Sequence, residues 1–369
     1  MRLRASRGVR RTLARLMDDS GVMRAAHALV WGSLTSARAS CDWLRAGVRS
    51  CVRAPARFAP LLLLAGSATL VTGCGLGPGA PVGGVKVLVT KEFGEQTVAS
   101  LANPKVAGTE TVMSLLMRNM HITTRYGGGF VESIDGDSGG VEHGKPFDWF
   151  YYVNGVEASK GAAEVDVKQG EQIWWDLHDW GEAEHTPAVV GSYPEPFLNG
   201  LEGRRLPVRL ECADPQKGPC RTVTQRLAKL GVPAGVGAIG PLGESEDTLS
   251  VLVGTYGELR RVPAAHLLEG GPGASGVYVR VLGAGRSFAL LDAEGSAEKV
   301  ISGDAGLIAA TRYPDEGPTW IVTGADAAGV LAAADHLDEA TLERHFAVAI
   351  EGAAEGHGER VLPLPLRRG

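Results

Sequence analysis

The feature that most constrains this chain is an apolar run at positions 58–71, three residues before Cys74. The run is shorter than the ~20 apolar residues that a membrane-spanning helix needs, and its length is typical of the hydrophobic core of a signal peptide. Arg53 and Arg57 precede it and supply the positive charge expected on the cytoplasmic side. The alternative is a short membrane or buried helix that ends at a cysteine by chance. We therefore expect only the chain after position 73 to fold, outside the membrane.

The last four residues of this stretch, Val71-Thr72-Gly73-Cys74, resemble the lipobox of bacterial lipoproteins. The resemblance implies that Cys74 carries a lipid and that residues 1–73 are a leader removed before it. The leader is unusually long, and positions 1–57 hold twelve arginines. Either translation starts downstream, near positions 48–52, or an arginine-rich cytoplasmic extension exists. The resemblance predicts a protein anchored by lipid to the extracytoplasmic face of the cell membrane.

The charge balance changes when the leader is removed. The chain has 37 Lys and Arg against 42 Asp and Glu, and the leader holds 12 of the basic and 3 of the acidic residues. The remaining 25 basic and 39 acidic residues give a net charge of −14. This acidic exterior argues against nucleic acid or anionic lipid headgroups as partners. The Gly- and Pro-rich stretch 74–84 is typical of a flexible tether.

Two cysteines, Cys212 and Cys220, flank a short segment rich in turn residues. Cys41 and Cys51 belong to the leader and Cys74 is the predicted lipid site, so this pair remains in the mature chain. An even pair in an exported protein predicts a disulfide. A metal site with two thiolate ligands is the alternative, although no further ligands lie nearby in the sequence.

The length of the mature chain is sufficient for two domains. We place them at 85–200 and 204–362, followed by a tail at 363–369. The second domain alternates apolar strands with helical patterns, which predicts an α/β domain of the βαβ type. This domain contains a weak repeat, in which Gly254 and the helix after it resemble Gly324 and the helix after that. The origin of the repeat is either duplication or chance similarity.

The first domain shows one amphipathic helix among several strands. Thr109 or Thr111 is placed to cap the helix. The strand 149–153 ends at Asn154-Gly155, the strongest short signal for a hairpin, and positions 165–177 predict a second hairpin. One helix packed on a small mixed sheet is an α+β, β-grasp-like fold.

Four segments of this domain resemble, in their order, the transcobalamin C-terminal-like module of the DUF4430 type, a ubiquitin-like β-grasp domain. They are positions 111–116, 130–136, 149–155 and 167–177. In vertebrate members the module closes over cobalamin, so the resemblance implies a corrinoid as a candidate ligand and suggests no other cofactor. The helical toroid domain that completes the vertebrate site has no counterpart in this sequence.

Aromatic residues crowd the same segments and are the candidate ligand-binding residues. Alternate side chains of a strand face opposite sides, so Trp149 and Tyr151 share one face and Tyr152 lies on the other. Rings left outside the core would form a platform for a planar or sugar-like ligand. The alternative is that all of them pack in the core or at the sheet edge. The candidates are Trp149, Tyr151, Tyr152, Trp174, Trp175 and Trp180.

His178 and His185 bound a stretch with three acidic residues, which are ligand types that metal ions prefer. Their spacing matches no established metal site and Gly181 interrupts any helix that would align them, so we expect a solvated polar loop. Both histidines and a carboxylate converging on one point would indicate a cell-envelope hydrolase. No recognisable nucleophile or metalloprotease motif occurs, which argues against an enzyme.

These observations predict a lipid-anchored surface protein that binds a small ligand at the aromatic strands and the cleft between its domains. The second class of function is a surface adhesion or protein-interaction module without a small-molecule ligand. In that case an edge strand of the β-grasp sheet would pair with a partner strand.

Overall fold

The computed structural model describes residues 83–240, 247–313, 316–352 and 358–368. The predicted leader, Cys74 and most of the tether lie outside the described residues. All of the described residues belong to one compact unit. Within the described ranges, every helix is too short or too polar to cross a membrane.

The first part of the described chain, up to residue 200, is built from short strands around one helix. Its elements are β1 (Lys86–Lys91), β2 (Gln96–Ala102), α1 (Val112–Asn119), β3 (Ile122–Arg125), β4 (Phe130–Ile134), β5 (Asp137–Ser138), β6 (Gly140–Glu142), β7 (Lys145–Val153), β8 (Val156–Glu157) and β9 (Gln172–Asp179). The main sheet, here called the grasp sheet, has the order β2-β1-β9-β7-β6, with β8 paired to β7. The parallel pair β1 and β9 lies at its centre. This arrangement confirms the predicted α+β, β-grasp architecture.

Helix α1 begins where the sequence provides a cap. Thr111, rather than Thr109, is the N-cap: its side chain accepts a hydrogen bond from Ser114 N, and Ser114 Oγ accepts one from Thr111 N at 2.9 Å. Such a reciprocal capping box satisfies two backbone donors that the first turn leaves free. Leu115 and Leu116 on the buried side of the helix pack against the grasp sheet.

The predicted hairpin at Asn154-Gly155 is present, and both residues have the positive φ angles that this turn requires. The second predicted hairpin, at 165–177, is wrong. Strand β9 pairs with β1 on one side and β7 on the other, so both its edges are occupied. Residue Asp166 instead makes a single bridge to Thr111 at the start of the helix.

The second part of the chain contains a larger mixed sheet. The strands of this part are β10 (Val208–Cys212), β11 (Ala234–Ala238), β12 (Leu249–Thr255), β13 (Val279–Leu282), β14 (Ser287–Leu291), β15 (Ala297–Ser302), β16 (Gly306–Arg312), β17 (Pro318–Gly324), β18 (Ala347–Glu351) and β19 (Arg360–Leu364). Strands β13, β14 and β15 form a separate sheet within this part. Its helices are α2 (Gly218–Lys229), α3 (Tyr256–Leu259), α4 (Pro263–His266), α5 (Pro272–Ser275), α6 (Ala327–Asp335) and α7 (Glu339–Leu342). The sheet order is β11-β10-β12-β17-β16-β18-β19, with the first four strands parallel. This half of the sheet has the α/β character that the sequence predicts.

Both faces of this second sheet are covered. Side chains alternate along β12, so Val251 and Val253 pack under α2 and α6 while Leu252 faces the grasp sheet. The proline-rich arm after β9 docks on the helix-covered face, where Tyr193 and Phe197 contact Trp320.

The two copies of the weak repeat differ in their packing. Strands β12 and β17 are parallel neighbours, but their helices lie on opposite faces of the sheet. Ala265 of α4 belongs to the cluster on the grasp-sheet side, whereas Ala333 of α6 belongs to the cluster on the other side.

Covalent and ionic links close the second part. Cys212 at the end of β10 is bonded to Cys220 in α2, which confirms the predicted disulfide. The segment predicted as a tail contributes to the fold, because Leu366 packs on the core shared with the grasp sheet. Beyond it, Arg367 pairs with Glu95 of the first part and Arg368 with the buried Asp292.

Candidate functional site

The predicted aromatic residues are almost all inside the protein. Five of the six candidates are between 0 and 8 % exposed, and Trp180 is partly buried. The rings therefore form no open platform on the surface of the grasp sheet. Their positions divide them into two sets. One set faces α1 and comprises Trp149, Tyr151 and Trp175, and the other faces the second sheet and comprises Tyr152 and Trp174.

The set facing α1 lines a small cavity of about 230 Å³, here called the aromatic pocket. The pocket lies beside β7 where its pairing is interrupted: β6 covers Lys145–Phe147 and β8 covers Tyr152–Val153. The rings of Tyr151 and Trp175 are stacked at 4.8 Å. The other lining residues are Met113, Gly129, Phe130, Val131, Asp148, Trp149, Phe150, Glu157, Ala158, Lys160, Gly161 and Ala162.

The polar atoms of these three rings differ in their partners. Trp149 Nε1 donates to the carbonyl oxygen of Asp137 at 3.2 Å, and Tyr151 Oη donates to that of Lys160 at 2.6 Å. Trp175 Nε1 is buried and has no hydrogen-bond partner within the described chain. Trp175 thus carries an unsatisfied donor inside the protein. Sequence reasoning selected Trp175 but gave no signal for this property.

Trp180 supports the rim of the aromatic pocket rather than its interior. Its Nε1 donates to Asp148 Oδ2 at 3.1 Å, and Asp148 lines the pocket. Burial raises the pKa of Asp148 above its ordinary value, while the hydrogen bond from Trp180 acts in the opposite direction. This contact fixes the carboxylate at the pocket wall.

The set facing the second sheet takes part in a buried polar network centred on Asp176. Trp174 Nε1 donates to Thr90 Oγ1 at 2.6 Å, and Thr90 Oγ1 donates to Asp176. The backbone N–H groups of Phe93 and Gly94 donate to the same carboxylate at 3.0 and 2.8 Å. A fully buried carboxylate with this many donors is well satisfied.

His178 also belongs to this network, which corrects the expectation of a solvated loop. It lies in β9, is buried, and its Nδ1 is 2.8 Å from Asp176 Oδ1. Its ring packs between Phe93 and Phe150, with centroids at 4.7 and 4.6 Å. His178 is buried because β9 is a central strand and the second sheet covers every other residue along it.

His185 lies in the exposed loop and pairs with a different carboxylate. Its Nδ1 is 2.9 Å from Glu157 Oε1, and Thr186 N donates to Glu157 Oε2. The hydrogen bond to Glu157 raises the pKa of His185 above its ordinary value. The two histidines therefore do not meet at one carboxylate. In the part of the chain that the structure describes, no group of three or more His, Cys, Asp or Glu is arranged to hold a metal ion.

A larger cleft, here called the junction cleft, lies where the two parts of the chain meet and has a volume of about 450 Å³. Its lining comes from the grasp sheet, the connecting segment and the second sheet. The residues are Val153, Val156, Glu157, Ala158, Ser159, Lys160, Glu164, Val165, Asp166, Lys168, Glu171, Leu201, Glu202, Arg204, Leu206, Arg312, Glu316 and Gly317. Residues Glu157, Ala158 and Lys160 also line the aromatic pocket, so they form a wall between the two spaces.

Glu171 is the deepest charged residue of the junction cleft. It is 2 % exposed, and its Oε2 accepts a hydrogen bond from Lys168 N at 2.7 Å. Burial raises the pKa of Glu171, and the negative charges of Glu195 and Glu202 act in the same direction. The sequence analysis missed this residue, since a single glutamate before a strand carries no recognisable signal.

Comparison with known proteins identifies the first part of the chain. Residues 109–179 match the family model described as "Domain of unknown function (DUF4430)". No curated protein matches the chain. The matched segment runs from the start of α1 to the end of β9 and leaves out strands β1 and β2 of the grasp sheet.

Two solved structures are similar over a limited length. A haptocorrin in complex with Cbi is 15 % identical with a TM-score of 0.22, and the match covers 27 % of this chain and 25 % of that one. A protein from Ruminococcus gnavus ATCC 29149, described as a "putative metal binding protein", is 15 % identical with a TM-score of 0.21, over 27 % of this chain and 97 % of that one. The chain thus matches a quarter of the haptocorrin. On the family match, residues 109–179 of this protein belong to a DUF4430 domain.

Proposed function

We propose that this protein is a lipid-anchored binding protein of the extracytoplasmic face that holds a small ligand in the junction cleft. The observation that carries the proposal is the cleft itself. Its volume of about 450 Å³ falls within the range of about 300–1,000 Å³ typical of small-molecule sites. Such sites occur preferentially where two structural parts meet.

The lining of the cleft favours a polar ligand with many hydrogen-bonding groups. It combines six acidic and four basic side chains with apolar residues such as Val156 and Leu206. Glu171 supplies a buried carboxyl group whose oxygens accept hydrogen bonds. A corrinoid, whose ring carries peripheral amides, has this chemistry, and the ligand of the haptocorrin above is Cbi. We propose a corrinoid as the ligand class.

Titration calorimetry of the full-length protein in detergent, with cobinamide and cobalamin, tests this proposal. We expect binding at micromolar concentration. Ser159 is exposed and lines the cleft, so Ser159→Trp should partly fill it and weaken binding by about tenfold or more. Ser302 is equally exposed but lies outside the cleft, and Ser302→Trp is the matched control. Absence of heat with the unmodified protein refutes corrinoid binding, and an unaffected Ser159→Trp variant places the ligand elsewhere.

The anchoring part of the proposal depends on Cys74, which lies outside the described residues. Mass spectrometry of the protein purified from membranes should find Cys74 as the first residue, carrying a diacylglyceryl group. A Cys74→Ser variant should lack the lipid, whereas a Cys51→Ser variant should keep it. Recovery of an unmodified Cys74 thiol, or of leader residues still attached to it, contradicts the proposal.

One observation favours a protein-interaction module as the second candidate. In the described part of the second sheet β11 is an edge strand, and Val236 on it is 45 % exposed. An exposed edge strand can pair with a strand of another protein. A Val236→Lys variant should abolish such pairing without changing the affinity for a ligand in the junction cleft.

A further inference from the structure

The aromatic pocket lies against the backbone edge of β7. Alternate side chains of a strand point to opposite faces of its sheet. Trp149 and Tyr151 face α1, whereas Phe150 stacks on His178 on the other face. The four consecutive residues at positions 148–151 nevertheless all line the pocket. Because residues of both faces line it, the pocket lies in the plane of the grasp sheet, beside the strand.

Hydrogen bonds near the two ends of β7 show which backbone groups face this edge. On the side of β9, Trp180 N donates to Pro146 O at 3.1 Å. On the opposite side, Ala158 N donates to Tyr151 O at 3.1 Å. The backbone groups of successive residues in an antiparallel strand alternate between its two sides. Trp149 lies two residues before Tyr151, so its N–H and C=O point away from β9 and toward the gap between β6 and β8.

This gap leaves the backbone groups of Trp149 without a strand partner. Pairing with β6 ends at Phe147, and pairing with β8 begins at Tyr152. Within the described residues, no bridge or backbone hydrogen bond joins Trp149 to a residue on this side. The interval from Phe147 to Tyr151 is four residues, or about 14 Å of antiparallel strand. It has room for one opposite residue that both accepts from Trp149 N–H and donates to its C=O, as paired antiparallel residues do.

The size and charge of the pocket restrict what such a residue can carry. The volume of about 230 Å³ is below the range of about 300–1,000 Å³ for drug-sized ligands. Met113 and Phe130 contribute apolar walls. Two carboxylates, Asp148 and Glu157, line the pocket with one cation, Lys160, so the net negative charge disfavours an anion. The pocket therefore suits a small, neutral, amide-bearing unit.

We infer that the aromatic pocket is a second binding site, which takes a neutral N-acylamino acid amide, a peptide unit of one residue, and pairs it with the open edge of β7. The unit accepts a hydrogen bond from Trp149 N–H and donates one to Trp149 C=O. Strands β6 and β8 close the two ends of the gap, so a longer peptide would have to leave the plane of the sheet. This inference goes beyond the proposed corrinoid site, because it concerns another cavity and does not depend on what the junction cleft binds.

Two probes of the same shape test the inference on the full-length protein in detergent: N-acetyl-L-alanine methylamide and its L-lactic ester analogue. The ester has an oxygen in place of the N–H that would donate to Trp149 C=O. NMR titrations should show the alanine probe binding about two- to tenfold more tightly, the usual value of one hydrogen bond. N-acetyl-L-alanine, which carries a charged carboxylate, should bind more weakly than its methylamide. Equal affinities for the amide and the ester, no binding of the amide at millimolar concentration, or tighter binding of the anion overturns the inference.

A pair of glycine variants assigns the binding to the aromatic pocket. A Cβ added at Gly161 would lie 3.6 Å from Gly129 O, and both glycines line the pocket. Gly161→Leu should therefore fill the pocket and weaken binding of the alanine probe by about tenfold or more. Gly218→Leu is the control, because a Cβ at this position in α2 meets no packed neighbour within 4 Å. Unchanged binding to Gly161→Leu contradicts the inference. If that variant fails to fold, the order of the probes on the unmodified protein still decides.

Discussion

The two faces of the grasp sheet both bury aromatic and polar side chains, but they treat the polar groups differently. On the face toward the second sheet, Asp176 receives hydrogen bonds from Thr90 and two backbone N–H groups and contacts His178. On the face toward α1, Trp175 Nε1 has no partner. Satisfied groups stabilise a structure, whereas an unsatisfied buried donor has a cost in stability. We conclude that the polar network on the first face stabilises the fold, whereas the indole donor on the second face does not.

The largest expected effect is on the face that joins the two parts. Asp176→Ala removes the common acceptor of three donors and the partner of His178, all of them buried. We expect a loss of about 3–5 kcal/mol in the free energy of unfolding, measured by urea denaturation. Asp166→Ala is the control, because Asp166 is exposed and its pair with Lys168 should contribute less than about 1 kcal/mol. A loss of similar size for both variants would show that the hydrogen bonds of Asp176 contribute little to stability.

The next prediction compares neighbouring residues with the same substitution. Trp174 and Trp175 are both buried, but only Trp174 donates a hydrogen bond, to Thr90. Trp174→Phe should therefore destabilise the protein by about 1–2 kcal/mol more than Trp175→Phe, because it breaks a buried bond rather than removing an unpaired donor. Thermal denaturation of both variants in parallel measures the difference. Equal losses would mean that the two indoles are equivalent.

A smaller effect is expected from hydroxyl groups that lie unpaired between the sheets. Tyr152 is fully buried beside Thr186, and neither hydroxyl makes a hydrogen bond of regular geometry in the described chain. Tyr152→Phe should leave the free energy of unfolding unchanged or raise it by up to about 1 kcal/mol. Tyr256 is equally buried but donates to the carbonyl of Ala265 at 3.1 Å, so Tyr256→Phe should be destabilising by contrast. Destabilisation by Tyr152→Phe would reveal a partner for its hydroxyl and sharpen the description of this face.

The smallest effect concerns His185, which holds Glu157 in the wall between the pocket and the cleft. The pKa of His185 is raised by this carboxylate, so its contribution is fully present below the ordinary histidine pKa and is lost as the pH rises through the raised value. His185→Ala should therefore destabilise the protein at pH 5.5, by less than about 1 kcal/mol because the ring is exposed, and have little effect at pH 8.5. Urea denaturation at the two pH values measures it. A larger loss of unfolding free energy at pH 8.5 than at pH 5.5 would contradict the predicted direction of the pH dependence.

Elements with a local signal could be predicted from the sequence. A cap at Thr109 or Thr111 and the Asn154-Gly155 turn were predicted because each is specified by neighbouring residues. The disulfide followed from the count of cysteines in the mature chain. The cap and the turn depend on interactions between residues that are close in the sequence. The disulfide depends on export to an oxidising compartment, which the leader-like segment predicts.

The features that the sequence did not predict depend on packing between residues that are distant along the chain. His178 is buried because the second sheet covers alternate residues of β9. The sequence around His178 contains no pattern that predicts this burial. The same holds for Glu171, whose burial in the junction cleft arises where distant segments meet. Aromatic crowding indicated the right region for the pocket. Which ring would be left without a partner depends on carbonyl groups at positions 137 and 160, and only the folded structure brings these close.

The contrast between the two faces can be tested in one experiment, a ¹H–¹⁵N spectrum of the indole N–H groups recorded over a range of temperatures. We predict that the Trp175 signal shifts more with temperature than the Trp174 signal, because only the Trp174 donor is hydrogen-bonded, to Thr90. Equal shifts, or a larger shift for Trp174, would contradict the account.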